Sequence, residues 1–514
     1  MNLLSSASVF SFFTLISRIL GYLRDILIAI FLGTSIFADA FFVAFRLPNT
    51  FRRLFAEGTF NAAFIPSYTS AKTSDQNKGK KFADDVLSSL SLILILIVTI
   101  VEIFTPYLIY VIAPGFLEDQ IKFNLAVELT RITFPFLFFV SLSSFFTGIL
   151  NSNNKFAAAA AAPIILNIVL ILSLIYSYIQ GLDYAKQLSY GVTLAGIFQL
   201  FFLIYITKRF YKPALNFSLK FNKKVKFFFK KLLPSILSSG ITQINILVGT
   251  IIASFQTGAV SYLYYADRVY QINLAIAGIA VGTVSLPVLS KALKMKNIKK
   301  ISDIQNKSFE LSLLFSIPAS FGLVIASNEI INALFGYGSF SVNDIKMTAA
   351  ALTFFGYGLP AFALIKILSN FFFARDNTKT PFYISTFIVF LNVLISVSFF
   401  NKIGFIIIPI ATSISTWVGV LIYVYLLNSK KILLLKYQLI INFIKILIST
   451  IIMSSILLFS LDKFANYLDY SYNYKAVYLI SIVSFVGMFY LLSCYLLGIL
   501  NIKNYKTNWW VKKN

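Results

Sequence analysis

The 514-residue sequence contains no histidine and only one cysteine, Cys494. A disulfide within the chain is therefore impossible, and zinc, haem or histidine-based acid–base chemistry has no ligands to use. Charge is also scarce, because only 12% of the residues are charged, about half the share that is usual in soluble domains. We therefore expect a protein without a metal or organic cofactor.

Apolar side chains take the place of charge and make up 58% of the residues. A chain of this composition is a polytopic membrane protein. The net charge of +25 would ordinarily indicate nucleic acid. Here the lysines lie between apolar spans and not on a soluble face, so membrane lipids are the expected surroundings and nucleic acid is not an expected partner. The first apolar span continues into Arg18 with no early basic residue and no cleavage site, which predicts a retained helix.

Windows of about 20 apolar residues predict an all-α fold with about fourteen transmembrane helices. The predicted spans are 7–32, 37–68, 83–113, 127–150, 158–180, 188–207, 232–255, 258–289, 305–327, 348–373, 381–400, 403–427, 437–460 and 475–500. Alternate loops are rich in lysine, above all the segment from Lys208 to Lys231. The positive-inside rule then predicts a multi-pass plasma-membrane protein with both termini in the cytoplasm.

The sequence also contains a faint internal repeat. Segments 39–66 and 261–287 are alike, with Arg46 over Arg268 and with a Gly-Thr pair and a proline in matching places. Both copies cross the membrane in the same direction, which predicts two six-helix lobes related by a pseudo-two-fold axis along the membrane normal, with the substrate site between them. The predicted organisation is an N-lobe at 1–207, a basic cytoplasmic linker at 208–231, a C-lobe at 232–430, and two extra helices with a cytoplasmic tail at 431–514.

Ionised side chains inside the apolar spans are the most informative feature. A charge at the centre of a membrane helix costs on the order of 2.5 to 3.5 kcal/mol, so a cluster persists only where it faces protein, water or a ligand. In the first span Arg18 and Asp25 share a face, whereas Arg24 points about 120° away from Arg18. Because seven residues rise roughly 10 Å, Arg18 and Asp25 are too far apart for an ion pair. Both arginines then need carboxylates on neighbouring helices, backbone carbonyls, water or substrate.

The second span carries a stripe of charge, because Asp39, Arg46 and Arg53 recur every seven residues. Arg53 and Glu57 have the spacing of an ordinary i,i+4 ion pair, which is the preferred interpretation for both. Arg52 either reaches a substrate or extends to the cytoplasmic headgroups.

The eighth span adds Asp267 and Arg268, and the tenth adds Lys366. Cations outnumber acids among these candidates, which predicts a net positive cavity. Guanidinium groups bind phosphate oxygens bidentately, so the predicted occupant is phosphorylated or pyrophosphorylated. The predicted substrate-binding residues are Arg18, Arg24, Asp25, Arg52 and Arg268, with Asp39, Arg46, Asp267 and Lys366 supporting the cavity.

Several segments resemble the MurJ (MviN) family of lipid II flippases, within the multidrug/oligosaccharidyl-lipid/polysaccharide exporter superfamily. The resemblance rests on SRILGYLRD at 17–25, ADAFFVAFRLPNTFRRLFAEGTFNAAFIP at 38–66, RITFPFLFFVSLSSFFTGILN at 131–151, YYADRVYQ at 264–271, LFGYGSF at 334–340 and ARDNTKTP at 374–381. It implies movement of lipid II, the undecaprenyl-pyrophosphate-linked disaccharide-pentapeptide, from the cytoplasmic to the outer leaflet for peptidoglycan synthesis.

The resemblance also implies residue roles. In the family, the arginines that match Arg18, Arg24, Arg52 and Arg268 line a central cavity and act on the pyrophosphate, with the acid that matches Asp25 beside them. The last two helices form a hydrophobic groove for the polyprenyl tail. The acidic sodium ligands of some members have no acidic match here, which counts against sodium coupling. The membrane potential, to which a net positive cavity can respond, or an ion gradient is the expected driving force.

Two alternatives remain open. One is an exporter of polysaccharide repeats or drugs from the same superfamily, which differs only in its substrate. The other is a membrane enzyme acting on lipid-linked sugars. Such an enzyme would need paired catalytic acids or histidines at a membrane face, whereas the dense charge here is intramembrane and cationic.

Overall fold

The computed structural model describes residues 3–56, 59–214 and 243–500, together with Lys226, Phe228, Lys230 and Gly240. These residues form helices and connecting turns with no strand among them, which confirms the all-α fold class. The first nine α-helices are α1 (Leu3–Leu32), α2 (Ile36–Ala56), α3 (Thr59–Ser74), α4 (Gln76–Ile112), α5 (Gln120–Thr133), α6 (Phe136–Ser152), α7 (Phe156–Gln180), α8 (Tyr184–Thr207) and α9 (Gln243–Ala253).

The second half of the chain continues in the same way. Its helices are α10 (Ala259–Leu274), α11 (Val281–Lys294), α12 (Ile298–Ile325), α13 (Ser327–Phe335), α14 (Val342–Phe373), α15 (Lys379–Ile403), α16 (Ile407–Ser429), α17 (Tyr437–Lys463) and α18 (Lys475–Leu496). A π-helical turn, Ala275–Ala280, joins α10 to α11. Single π-helical turns within helices are frequent at functional sites.

The predicted spans fall on these helices wherever the chain is described. Ten helical stretches of the described residues are long and apolar enough to cross a membrane, and one of them, Lys379–Ser429, contains both α15 and α16. The predicted span 37–68 corresponds to two helices, α2 and α3, and the predicted span 127–150 corresponds to α5 and α6. The total of fourteen crossings stays a prediction. The linker predicted at 208–231 lies mostly outside the described residues.

The chain divides into two compact units, Met1–Ser261 and Tyr262–Asn514. The division lies within the first turn of α10 (Ala259–Leu274) and so lies later than the predicted start of the C-lobe at residue 232. The lobe boundaries read from the repeat stay a prediction.

In the first unit, α7 packs against both α1 and α8, and α8 also packs against α6. Glycines allow this close approach. A Cβ on Gly191 of α8 would lie 2.4 Å from the Ser173 hydroxyl of α7, and one on Gly196 would lie 2.7 Å from the ring of Phe136. Small residues at helix contacts are the usual means by which membrane helices pack closely.

Helix α4 is kinked at Phe104, whose backbone angles are φ −97° and ψ 17°. The cause is Pro106, which has no N–H to offer to the carbonyl of Glu102. The buried hydroxyl of Thr105 compensates by donating to the carbonyls of Val101 at 2.6 Å and Glu102 at 3.2 Å.

In the second unit, α14 packs between α12 and α16, and α17 packs on α12. An extended segment before α17 is fixed to α12 by two amide side chains. Gln305 donates to the carbonyl of Ile432 and accepts from the N–H of Leu434, both at 3.0 Å. Asn306 donates to the carbonyl of Leu434 at 2.7 Å and accepts from the N–H of Lys436 at 2.8 Å. The segment that leads into the last two helices is therefore bonded to α12 of the same unit.

Candidate functional site

Arg24 and Asp25 form a buried ion pair on α1. The Nε and Nη2 atoms of Arg24 donate to Oδ1 of Asp25 at 3.1 and 2.6 Å, and the two side chains are only 7% and 3% exposed. Spacing arguments did not pair these two residues, because adjacent residues lie about 100° apart around a helix. The long arginine side chain spans that angle and pairs with the carboxylate next to it.

A second partner holds Arg24 from α7. Nη1 of Arg24 donates to Oδ1 of Asn167 at 3.0 Å, and Nδ2 of Asn167 donates to the carbonyl of Ser17 at 2.9 Å. Gly21 lies opposite this amide, and a Cβ there would be 3.5 Å from Nδ2. Asn167 therefore connects two points of α1 that lie about two turns apart.

Arg18 has different surroundings from Arg24. Its side chain is exposed, and within the described ranges it makes no hydrogen bond or ion pair. It lies near the middle of α1, about 20 Å from either end of the helix. In the predicted first span, 7–32, that position is too deep for the side chain to reach a membrane surface. A cation at that depth has to face water or an anionic ligand.

Asp39 belongs to a separate and completely buried network in the first unit. Its Oδ2 atom accepts from Lys122 Nζ at 2.7 Å and from the Gly258 N–H at 2.8 Å. Its Oδ1 atom accepts from the backbone N–H and the hydroxyl of Ser261, at 3.0 and 2.6 Å. The ammonium of Lys122 also lies 4.1 Å from the centre of the Phe116 ring. Four donors occupy the carboxylate, so its part in lining a cavity stays a prediction.

The other cations of α2 lie in partly buried positions. Nε of Arg52 donates to Oδ1 of Asn49, one turn earlier, at 3.0 Å. Arg46 and Arg52 each have a further interaction partner. Glu57 lies outside the described residues, so the predicted pair of Arg53 with Glu57 stays a prediction.

In the second unit, Arg268 is held by an aromatic neighbour on its own helix. Its Nη2 atom donates to the hydroxyl of Tyr264 at 2.9 Å, and the guanidinium carbon lies 4.8 Å from the centre of the same ring. The adjacent Asp267 accepts from the side chain of Gln271. The π-helical turn begins seven residues after Arg268.

Lys366 is the predicted site cation of this unit that is exposed. It lies on α14 between buried neighbours such as Ile367, and its amine has no hydrogen-bond or ion-pair partner among residues of known placement. Its backbone lies beside α11, where a Cβ on Gly282 would be 3.8 Å from the Lys366 Cβ and where Asn370 donates to the Gly282 carbonyl at 2.7 Å.

The structure thus brings Arg24 and Asp25 together, keeps Asp39 in its own network, and leaves two of the predicted site cations, Arg18 and Lys366, exposed. Sequence reasoning missed two partners, Asn167 and Lys122. Asn167 carried a signal, since it is a polar residue in the apolar run PIILNIVLIL, where an amide is stable only if it is bonded. Lys122 carried none, since it resembles an ordinary loop lysine.

These features define a polytopic helical membrane protein of the transporter class, in which cations of apolar helices are either bonded to neighbouring side chains or exposed. The sequence model of the family described as lipid II flippase MurJ matches residues 28–478. The chain belongs to this family, as its resemblance had predicted.

Individual relatives agree with the family match. A probable lipid II flippase MurJ from Rickettsia prowazekii is 37% identical over 98% of this chain and 99% of its own length. A solved lipid II flippase MurJ in an inward-closed conformation is 30% identical, with a TM-score of 0.80 over 95% of this chain and 98% of that one. A multidrug-resistance MATE transporter of the MOP superfamily, at 16% identity and a TM-score of 0.62 over 80% of this chain, shares the fold.

Proposed function

We propose that this protein is a transporter and not an enzyme, and that it flips lipid II from the cytoplasmic to the outer leaflet of the bacterial plasma membrane by alternating access, for peptidoglycan synthesis. Membership of the lipid II flippase family supports the substrate. The observation in this chain that carries the proposal is Arg18, an exposed cation at the middle of α1, the first predicted span, with no partner among the described residues.

The pyrophosphate of lipid II is the group that Arg18 would bind. A guanidinium group presents paired N–H donors that match phosphate oxygens, so it binds a pyrophosphate more specifically than a point charge does. In the second unit Lys366 is also exposed, and Arg52 and Arg268 are the remaining predicted substrate-binding guanidinium groups. Asp25 offsets the charge of Arg24, so this buried pair adds little net charge to α1 when no substrate is bound.

The membrane potential is the driving force that this charge distribution supports. An elementary charge that crosses the whole field gains about 2.3 kcal/mol per 100 mV. Exposed cations such as Arg18 and Lys366 would respond to the potential in the unloaded protein and would be neutralised when they bind a pyrophosphate. The basic loops support cytoplasmic positions for both termini.

The test is lipid II flipping by the purified chain in vesicles, with and without an imposed potential. Arg18→Ala should lower the flipping rate at least about tenfold, since hydrogen bonds between charged groups contribute about 1.5 to 3 kcal/mol. Arg18→Lys should retain part of the flipping rate, because it keeps the charge but loses the paired N–H donors of the guanidinium.

Lys186→Ala is the matched control. It removes a cation that pairs with Glu128 at 2.5 Å, but both side chains are more than 40% exposed, so the flipping rate should not change. Flipping by Arg18→Ala at the wild-type rate would refute the assignment of Arg18. Transport of another undecaprenyl-linked saccharide by the wild type, with no movement of lipid II, would identify a polysaccharide exporter.

A further inference from the structure

We propose that Asn167 of α7 is a positioning residue, which fixes the direction in which the Arg24 guanidinium presents its remaining N–H donors to the anionic group of the substrate. This inference rests on the proposed function. Asn167 is 6% exposed, and it contacts Arg24 and not the outside of the protein. Its effect on transport would therefore pass through Arg24.

Asp25 and Asn167 bind three of the N–H donors of Arg24. An arginine side chain has five N–H bonds in one plane. Asp25 takes one from Nε and one from Nη2, and Asn167 takes one from Nη1. Over the described residues, one N–H on Nη1 and one on Nη2 remain. A guanidinium that is bound on both sides cannot rotate about its last bond, so these two donors keep fixed directions. A donor that is already held in place can bind a phosphate oxygen without further ordering of the side chain.

The amide is suited to this task because it carries an acceptor and a donor at once. Its donor is bound to the carbonyl of Ser17 at 2.9 Å, which forces its oxygen toward Arg24. Asp25 alone would fix only one edge of the guanidinium. A leucine at position 167 would fill the space but would leave Nη1 without its acceptor.

A purely structural role would be to hold α7 against α1, and a double-mutant cycle separates the two roles. The affinity for lipid II is measured in nanodiscs for the wild type, Asn167→Leu, Arg24→Ala and the double variant. Asn167→Leu should weaken binding about tenfold or more when Arg24 is present, from the loss of a charge-assisted hydrogen bond. It should change the affinity less than about twofold in the Arg24→Ala protein, because no guanidinium remains to be oriented.

Two further variants keep the test informative. Asn167→Gln retains both amide groups one methylene further out, so it should fold even if Asn167→Leu does not, and it should lose affinity only when Arg24 is present. Ser173→Ala is the matched control on α7, because its hydroxyl donates to the Val169 carbonyl of its own helix at 2.9 Å, and it should bind like the wild type.

A second probe is a lipid carrying the same disaccharide on a monophosphate. The wild type should prefer the pyrophosphate, and Asn167→Leu should lose that preference, whereas a packing defect would weaken both lipids equally. Equal losses with and without the Arg24→Ala change, or no loss from either Asn167 variant, would overturn the inference while the wild type still flips lipid II. Failure of the wild type to bind or flip lipid II would instead overturn the proposed function.

Discussion

Replacement of Lys122 by methionine removes the only cation that contacts Asp39 among the described residues while keeping most of the side-chain volume. The side chains of this pair are 4% and 0% exposed, and Nζ lies 2.7 Å from Oδ2. After the change, Asp39 retains three donors, namely the Gly258 N–H and the N–H and hydroxyl of Ser261. The carboxylate would thus remain hydrogen-bonded but without a countercharge.

The size of the loss follows from this geometry. Two unit charges 2.7 Å apart attract by about 6 kcal/mol at an effective dielectric constant of about 20. Desolvation of both ions offsets most of that attraction in the intact pair, but deletion of one ion exposes the desolvation penalty of the other, and such deletions cost about 3 to 5 kcal/mol. Because three donors remain on Asp39, we expect the lower end, about 3 kcal/mol of unfolding free energy.

The assay is unfolding by sodium dodecyl sulfate in mixed micelles, for the single variants Lys122→Met and Asp39→Asn and for the double variant. The double variant should lose less stability than the sum of the two single changes by about 2 kcal/mol, because the second change removes the stranded charge. Lys186→Met is the control, since its exposed ion pair should contribute less than about 1 kcal/mol. Additive losses, or a Lys122→Met protein as stable as the control, would refute the reasoning.

Two further predictions concern the second unit. Burial raises the pKa of the half-buried Glu329 carboxyl in the first turn of α13, so its ionised form opposes folding. Stability should therefore fall as the pH rises from the pKa of this carboxyl in the unfolded chain to its higher pKa in the folded protein. Glu329→Gln should raise the unfolding temperature slightly at pH 7 but not at pH 4. The same gain at both pH values would contradict this prediction. Lys475→Met should destabilise the α17–α18 pair by about 2 kcal/mol in the micelle assay. The reason is that the buried ammonium donates to the carbonyls of Gly336 and Tyr470 at 2.6 and 2.7 Å. An unchanged midpoint of unfolding would contradict this prediction.

Hydropathy predicts the helices of this fold well because few backbone conformations are stable inside a membrane. Every backbone polar group must find a partner within the bilayer, so an apolar stretch of the right length becomes a helix. Hydropathy does not show where one apolar stretch becomes two helices. The boundary between α5 and α6 lies at Phe134 and Pro135, where a proline without an N–H interrupts an otherwise continuous apolar run.

The candidate site was only partly predictable. The residue types and their depth in the membrane are readable from the sequence, because charges in apolar spans are rare. Their partners are not, because Arg24 and Asn167 are 143 residues apart and Asp39 and Lys122 are 83 residues apart. Helical spacing limits which residues share a face, but it does not show how far a long side chain bends. The pair of Arg24 with its neighbour Asp25 was missed for that reason.

Arg18 and Arg24 show why membrane depth alone does not assign a role. Both lie in the predicted first span, six residues apart on α1, and both carry a guanidinium, yet Arg24 is buried with two partners and Arg18 is exposed with none among the described residues. A phosphate that binds Arg18 displaces only water. A phosphate that binds Arg24 has to share its guanidinium with Asp25 and Asn167. Replacement by lysine should therefore be tolerated better at Arg18 than at Arg24. An ammonium keeps the positive charge at either position. At Arg24, however, it lacks the planar set of N–H donors needed to bond Asp25, Asn167 and a phosphate at once.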